Sequence, residues 1–150
     1  MWGERHYRLM DVYGFGPMVV LGFLYHVHLV VRYGGTPGKR LLGLRITQLN
    51  GAPVTFRSAL IRYAPEMVLD AMTRVAICVL LMSMSDAHYA DISITLATRG
   101  RELRAHLPGW YRGVEVASQL WMLSEFVVLL MNKRRRALHD YLAGTVVIRE

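Results

Sequence analysis

The chain is poor in cysteine and in acidic residues. It contains one cysteine, Cys78, so no internal disulfide can form, and the apolar stretch around Cys78 favours a buried thiol over a reactive one. Asp and Glu number 11 against 18 Lys and Arg, which gives a net charge of +7. Because the basic residues flank apolar runs, this excess favours anionic lipid headgroups as partners, and we expect no nucleic-acid partner.

Motifs for nucleotide or enzyme chemistry are also lacking. The Gly38-Lys39 pair would suit a phosphate-binding loop, but that motif requires a Gly where Tyr33 stands and a Ser or Thr where Arg40 stands. The sequence contains no motif that combines a nucleophile or a metal site with an activating group. We therefore expect no enzyme activity, no cofactor and no bound metal.

Long apolar runs dominate what the sequence does contain, and 53% of its residues are hydrophobic. Residues 12–31 include no Asp, Glu, Lys or Arg, and twenty such residues suffice to cross a bilayer core. The pattern predicts an all-α integral membrane protein, with residues 1–150 forming one domain. We expect three transmembrane helices, at about 12–32, 57–84 and 112–132, and an amphipathic surface helix at about 91–106.

The connection after the first span is rich in glycine and basic residues and predicts a stiff, tightly bent loop. Residues 44–49 then alternate in the manner of a strand, Asn50-Gly51 is typical of a tight turn, and residues 53–55 would return. Residues 144–148 form another β-branched run. We expect a small cytoplasmic β-element, consisting of a hairpin plus a C-terminal strand.

Four blocks of sequence, in order, resemble the RDD family of small multi-pass membrane proteins. The blocks are Gly34-Gly35-Thr36-Pro37-Gly38-Lys39-Arg40-Leu41-Leu42-Gly43-Leu44-Arg45, Asn50-Gly51-Ala52-Pro53, Ala59-Leu60-Ile61-Arg62, and Arg136-Ala137-Leu138-His139-Asp140 with the run 143–148. The resemblance marks as signature positions Gly35, Thr36, Gly38, Lys39, Arg40, Gly43, Arg62, His139 and Asp140. The family usually begins with an additional membrane helix, for which this chain has no room, and a partner could supply it.

Two functions follow from the resemblance. Some RDD proteins have been linked to cation/proton exchange, which implies cation/proton or small-solute transport. Three helices are few for a complete pathway, so transport would require a homo-oligomer or a larger membrane complex. The alternative is a non-transporting scaffold or accessory subunit that binds anionic lipid or a partner protein.

The distribution of basic residues predicts the orientation in the membrane. The 32–62 connection carries six Arg or Lys and the C-terminal segment five, against six on the opposite side. We therefore expect the loop 34–56 and the C-terminus to be cytoplasmic, in a protein of the cytoplasmic (inner) membrane.

Ionisable residues within apolar segments are costly and are therefore candidates for function. His26, Asp70 and Glu125 would lie at a similar depth, with Arg74 one turn further out, and together they could form an ion or proton site or a closed network of internal pairs. In the second helix, residues 62, 66, 70 and 74 share one face, which also suits an amphipathic half-helix held by i,i+4 ion pairs.

The adjacent His139 and Asp140 have no second His or Cys at ligand spacing, which favours a structural role. We expect Asp140 to pair with Lys39, Arg40 or Arg62 and so to dock the C-terminal tail on the loop. The remaining basic residues beside the apolar segments are candidates for lipid-headgroup binding. These are Lys39, Arg40, Arg45, Lys133, Arg134, Arg135 and Arg136.

Overall fold

The protein is mostly helical, and its computed structural model describes residues 2–85, 96–132 and 136–149. The helices, in chain order, are α1 (Trp2–Phe23), a π-helical turn (Leu24–His28), α2 (Leu29–Tyr33), α3 (Pro37–Leu41), α4 (Phe56–Ser83), α5 (Leu96–Ala105), α6 (Tyr111–Met131) and α7 (Leu138–Ala143). The strands are β1 (Leu44–Gln48) and β2 (Thr145–Arg149).

Two helical segments are long and apolar enough to cross a membrane, Val12–Tyr33 and Tyr111–Met131. Only 11% and 6% of their most apolar windows are buried by the protein, whereas the core helix of a soluble protein would be mostly buried. Helix α4 is long enough, but its first two-thirds carries five charged residues. The third predicted span therefore remains a prediction.

Helix α1 continues through Pro17, and the change of helical geometry falls further along, at the π-helical turn Leu24–His28. Gly14, Gly16 and Pro17 all lie inside α1. A proline removes one backbone hydrogen bond, which a long helix can tolerate. The π-helical turn contains His26 and His28, and such turns often occur at functional sites.

The predicted β-element is confirmed in its C-terminal strand, whereas the second arm of its hairpin is reduced to a single bridge. Strand β1 pairs antiparallel with β2, in a register that places Ile46 opposite Val147. The chain does turn after β1, with the amide of Gly51 donating to the carbonyl of Gln48 at 2.9 Å. The return is limited to a single bridge between Thr47 and Pro53, because a proline has no amide hydrogen with which to continue the ladder.

The sequence predicts a tightly bent loop between α2 and β1, and the structure has the short helix α3 within that connection. Gly34 ends α2 in the left-handed conformation with a φ of 71°, and its carbonyl accepts a 2.7 Å hydrogen bond from the amide of Ile46. Pro37 occupies the first turn of α3, where its missing amide hydrogen costs nothing.

The chain divides into two compact units. The first unit comprises Met1–Val19 and Asp70–Val116, and the second comprises Val20–Leu69 and Ala117–Glu150. The core of the second unit contains five buried residues from the π-helical turn, α2, β1, the connection after β1, and α4. They are Val27, Val30, Ile46, Val54 and Ala59.

Replacement of Gly34 by Ala should lower the apparent Tm. The positive φ costs a non-glycine residue about 1–2 kcal/mol, and an added Cβ would lie 2.9 Å from Nε of Arg45. Differential scanning fluorimetry of the detergent-purified protein would measure this change. Gly38→Ala is the control, because Gly38 lies within α3 with open space around it. Equal Tm values for the two variants would contradict the expectation.

Candidate functional site

The candidate site lies in the second compact unit, where a buried ion pair joins distant parts of the sequence. The guanidinium of Arg62, on α4, donates a hydrogen bond to Oδ1 of Asp140, on α7. Only 8% of the Arg62 side chain and 2% of the Asp140 side chain are exposed. Arg62 is thus the base that pairs with Asp140, among the three that the sequence pattern leaves open.

Asp140 is satisfied by several donors at once. Its Oδ1 also accepts a 2.9 Å hydrogen bond from the hydroxyl of Thr145, and its Oδ2 accepts one of 3.3 Å from the amide of Ala137. The Ala137 contact closes the first turn of α7, since that amide has no partner within the helix. Asp140 therefore stabilises its own helix as well as the contact with α4.

Arg136 also bonds to the segment that contains Asp140 and Thr145. Its Nε donates to the carbonyl of Thr145 at 2.9 Å, and its Nη2 donates to the carbonyl of Asp140 at 2.8 Å. Its guanidinium also lies 4.1 Å from the ring centroid of Tyr141. Because Arg136 is only 7% exposed, its prediction as a headgroup ligand is wrong.

His139 extends the ion pair to α6. Its Nε2 lies 2.8 Å from Nη2 of Arg62, which can only donate, so Nε2 accepts and the ring proton resides on Nδ1. Nδ1 lies 2.6 Å from Oε2 of Glu125, and the other oxygen of Glu125 accepts a 3.1 Å hydrogen bond from the His139 amide. Both ring nitrogens and both carboxylate oxygens are thereby engaged. We call Glu125, His139, Arg62, Asp140 and Thr145 the polar lock.

The neutral tautomer of His139 agrees with its electrostatics. Burial lowers the pKa of His139 below its ordinary value, and the adjacent charge of Arg62 lowers it further. The carboxylates of Asp140 and Glu125 act in the opposite direction without reversing the shift. A protonated ring would direct a second N–H at the Arg62 guanidinium, which is why the neutral form fits the lock.

A small cavity of about 130 Å³ adjoins the polar lock. Nine residues line it: His26, Val30, Thr36, Lys39, Ile46, Arg62, Tyr63, Glu66 and His139. The rings of His26 and Tyr63 stack within it, with centroids 4.6 Å apart and planes 3° from parallel. Among the described residues, no group of three or more His, Cys, Asp or Glu side chains could hold a metal ion.

The predicted intramembrane candidates have different partners. In the first unit, Nε of Arg74 lies 2.7 Å from Oδ2 of Asp70, an i,i+4 pair that matches the amphipathic-helix alternative. In the second unit, Glu125 belongs to the polar lock and His26 to the cavity. Of the other two charged residues on the same face of α4, Arg62 pairs with Asp140, and Glu66 is exposed.

The signature glycines and Thr36 shape the connection that borders the cavity. Gly35 is buried, with a position for a Cβ only 3.6 Å from the carbonyl oxygen of Leu44. Gly43 has a φ of 67°, which turns the chain from α3 into β1. Thr36 precedes α3 and lines the cavity together with Lys39.

The remaining headgroup candidates differ in exposure. Arg40 is exposed, whereas Lys39 and Arg45 are half-buried. Lys133, Arg134 and Arg135 lie outside the described residues. Exposed apolar and basic side chains of residues 32–57 form one stretch that we call the basic–apolar rim. It consists of Arg32, Tyr33, Arg40, Leu41, Leu42, Phe56 and Arg57.

Sequence reasoning missed Thr145 and did not identify the partner of Glu125. Thr145 appears in the sequence only as the start of a β-branched run, yet it is fully buried and bonds to Asp140. Glu125 draws attention as a carboxylate in an apolar helix, but nothing in its spacing indicates His139, fourteen residues later, as its partner.

Two exposed apolar helices and a buried polar lock beside a glycine-rich basic loop define a small helical protein of membrane type. The family model described as RDD family matches residues 8–144 of the 150-residue chain. The chain therefore belongs to the RDD family, as its four sequence blocks predict. Searches of curated proteins and of solved structures find no significant match.

Replacement of Asp140 by Ala should destabilise the protein strongly, because it leaves the Arg62 charge buried without its partner. Loss of one member of a buried pair typically costs about 3–5 kcal/mol. The apparent Tm in detergent should fall by at least about 6 °C. The control is Glu115→Ala, which removes a more exposed ion pair to Arg104 and should change stability by less than about 1 kcal/mol. Similar losses in both variants would show that the lock is not a main source of stability.

Acidification should weaken the polar lock through His139. Because folding lowers the pKa of His139, the unfolded chain binds the proton more tightly than the folded one. The stability contributed by the neutral ring is complete above about pH 6.5 and is lost as the pH falls below that value. Tm measured from pH 7.5 to 5.5 should fall less in His139→Gln than in the wild type. His106→Gln, at an exposed histidine, should keep the wild-type slope.

Proposed function

We propose that this RDD protein is a non-transporting membrane scaffold or accessory subunit that binds anionic lipid at its cytoplasmic face. The observation that carries the proposal is the saturation of the polar lock by internal partners. Every polar group of Asp140, His139 and Glu125 that an ion would need already contacts another residue. We also propose no catalytic role for His139 and Asp140, since both side chains are engaged in this way.

A closed lock is the arrangement expected of a structural element. A transport site must release its ligand, so its groups must be available to solvent in at least one state. Binding an ion at Glu125 or Asp140 would require the breakage of hydrogen bonds to His139 or Arg62 in a buried place. That cost is several kcal/mol for a buried charge that loses its partner.

The basic–apolar rim supports lipid binding. Leu41 and Leu42 are 88% and 70% exposed, which is costly in water but favourable in the interfacial region of a bilayer. Arg40 precedes them directly, and a guanidinium beside exposed leucines suits a phosphate headgroup above acyl chains. Leu120, on α6, exposes further apolar surface in the same compact unit.

The proposed topology has three spans, at Val12–Tyr33, in α4, and at Tyr111–Met131. Two of these segments qualify by length and composition, and α4 extends roughly 42 Å at 1.5 Å per residue. The basic residues of the loop support its proposed position on the cytoplasmic side of the inner membrane. Lipids are then the first partners, and a homo-oligomer or a larger membrane complex would cover the apolar surface that lipids do not.

Transport of cations, protons or small solutes by an oligomer is the second candidate. The observation in its favour is the cavity, where the carboxylate of Glu66 and the imidazole of His26 share one lining. Such a site would exchange a proton for a cation. Its chemistry would centre on Glu66, however, and not on the predicted combination of Asp70 and Glu125.

The proposed function predicts selective retention of anionic lipid. The full-length protein in nanodiscs of equal phosphatidylglycerol and phosphatidylcholine should carry phosphatidylglycerol into native mass spectrometry. Joint replacement of Arg32, Arg40 and Arg57 by Gln should abolish this preference, because it removes the exposed charges of the rim. The same three positions changed to Lys are the matched control and should retain it.

Equal retention of both lipids by the wild type would contradict the lipid-binding proposal. Uptake of Na⁺ or K⁺ into proteoliposomes, driven by a pH gradient and lost in Glu66→Gln, would establish transport in its place.

A further inference from the structure

We infer that the cavity between the loop, the first helical segment and α4 is a binding site for one phosphate group, with Lys39 as its principal ligand. This inference deepens the proposed lipid binding and rests on it for the lipid source of the phosphate. It concerns a buried position, distinct from the exposed arginines of the rim.

Lys39 lines the cavity without a hydrogen bond or salt bridge to any residue that the structure describes. An ammonium that is half-buried gives up water contacts, and no direct hydrogen bond from a described residue replaces them. Thr36 lies one turn earlier and lines the same space, and its hydroxyl makes no capping bond at the start of α3. The cavity therefore offers an ammonium and a hydroxyl as donors that other contacts leave free.

The lining carries two cations, Lys39 and Arg62, and one carboxylate, Glu66. Arg62 and His139 border the cavity from the lock, and His26 borders it from the first helical segment. The one carboxylate in the lining, Glu66, belongs to an exposed residue and so lies toward the opening. An anion that enters would be attracted by Lys39 and Arg62 and opposed by Glu66 in the lining and, from further away, by Asp140 and Glu125 of the polar lock.

Burial lowers the pKa of Lys39, and the charge of Arg62 lowers it further. A bound phosphate would reverse both effects, because it supplies a negative charge and acceptor oxygens at the ammonium. The cavity of about 130 Å³ suits one tetrahedral phosphate group but not a whole nucleotide or a complete lipid. An acyl chain attached to that phosphate would have to remain outside.

Phosphate could come from solution or from a lipid headgroup, and the experiment separates these sources. Isothermal titration calorimetry on the full-length protein in detergent would use sodium phosphate and dioctanoyl phosphatidic acid, each at constant ionic strength. Saturable binding of both probes would show that free phosphate suffices. Binding of dioctanoyl phosphatidic acid alone would identify a lipid headgroup as the ligand. Either result supports the site.

Lys39→Gln should weaken the binding at least about tenfold, since it removes charge-assisted hydrogen bonds. Arg149→Gln is the matched control, because it removes one positive charge from an exposed residue of β2 that belongs neither to the cavity nor to the rim. It should change the affinity by no more than about twofold. Lys39→Arg retains the charge and should retain binding, which separates loss of the ligand from loss of the fold.

Glu66→Gln provides a second test that leaves Lys39 intact. An anion site should bind phosphate more tightly once the opposing carboxylate is removed, whereas a cation site should lose its ligand. The inference is overturned if neither probe binds the wild type, if Arg149→Gln weakens binding as much as Lys39→Gln, or if Glu66→Gln weakens it.

The experiments can contradict the cavity site and the proposed lipid binding independently of each other. Absence of phosphate binding together with selective retention of phosphatidylglycerol in nanodiscs would remove the cavity site and leave lipid binding at the rim. Phosphate binding without any lipid preference would overturn the proposed lipid-binding function and leave the cavity site, with solution as the source of its phosphate.

Discussion

The ion pair between Arg62 and Asp140 is the constraint on which the second compact unit depends. The side chains of Arg62 and Asp140 are only 8% and 2% exposed, and a buried charge without a partner is costly. Folding of this unit therefore requires α4 to contact α7. Asp140 in turn bonds to Thr145, the first residue of β2, and thus fixes where that strand begins. A contact between residues 78 positions apart thereby determines the position of the C-terminal strand against β1.

The same pair explains the closed character of the polar lock. Arg62 directs one nitrogen at Asp140 and another at His139, and His139 then turns its remaining proton toward Glu125. Each side chain in this series forms a hydrogen bond or ion pair with the next one. Burial favours such a series because a buried charge without a partner would be costly. The lock leaves Lys39 outside its set of hydrogen bonds while it holds Arg62 beside the cavity. The same arrangement therefore saturates the polar lock with internal hydrogen bonds and leaves Lys39 without a hydrogen bond to a described residue.

Local sequence patterns predicted much of the fold. The charge-free run at 12–31 predicted a membrane-type helix, and the β-branched run near the C-terminus predicted a strand, because both signals depend on neighbouring residues alone. The second arm of the hairpin is reduced to the bridge between Thr47 and Pro53, because the turn at Asn50-Gly51 forms whichever strand pairs with β1. The register of β1 against β2 depends on residues distant in the sequence, and a local pattern does not contain that register.

The sequence by itself determined the family, the apolar helices, the glycine positions with left-handed φ and the surplus of positive charge, since each follows from residue type and short-range spacing. Only the tertiary structure decided which charges are paired. Asp140 took Arg62 among three bases, Arg136 turned inward to backbone carbonyls, and Lys39 was left facing a cavity. Pairing depends on burial and on contacts across the fold, because the free energy of a charge is set by its surroundings and not by its identity.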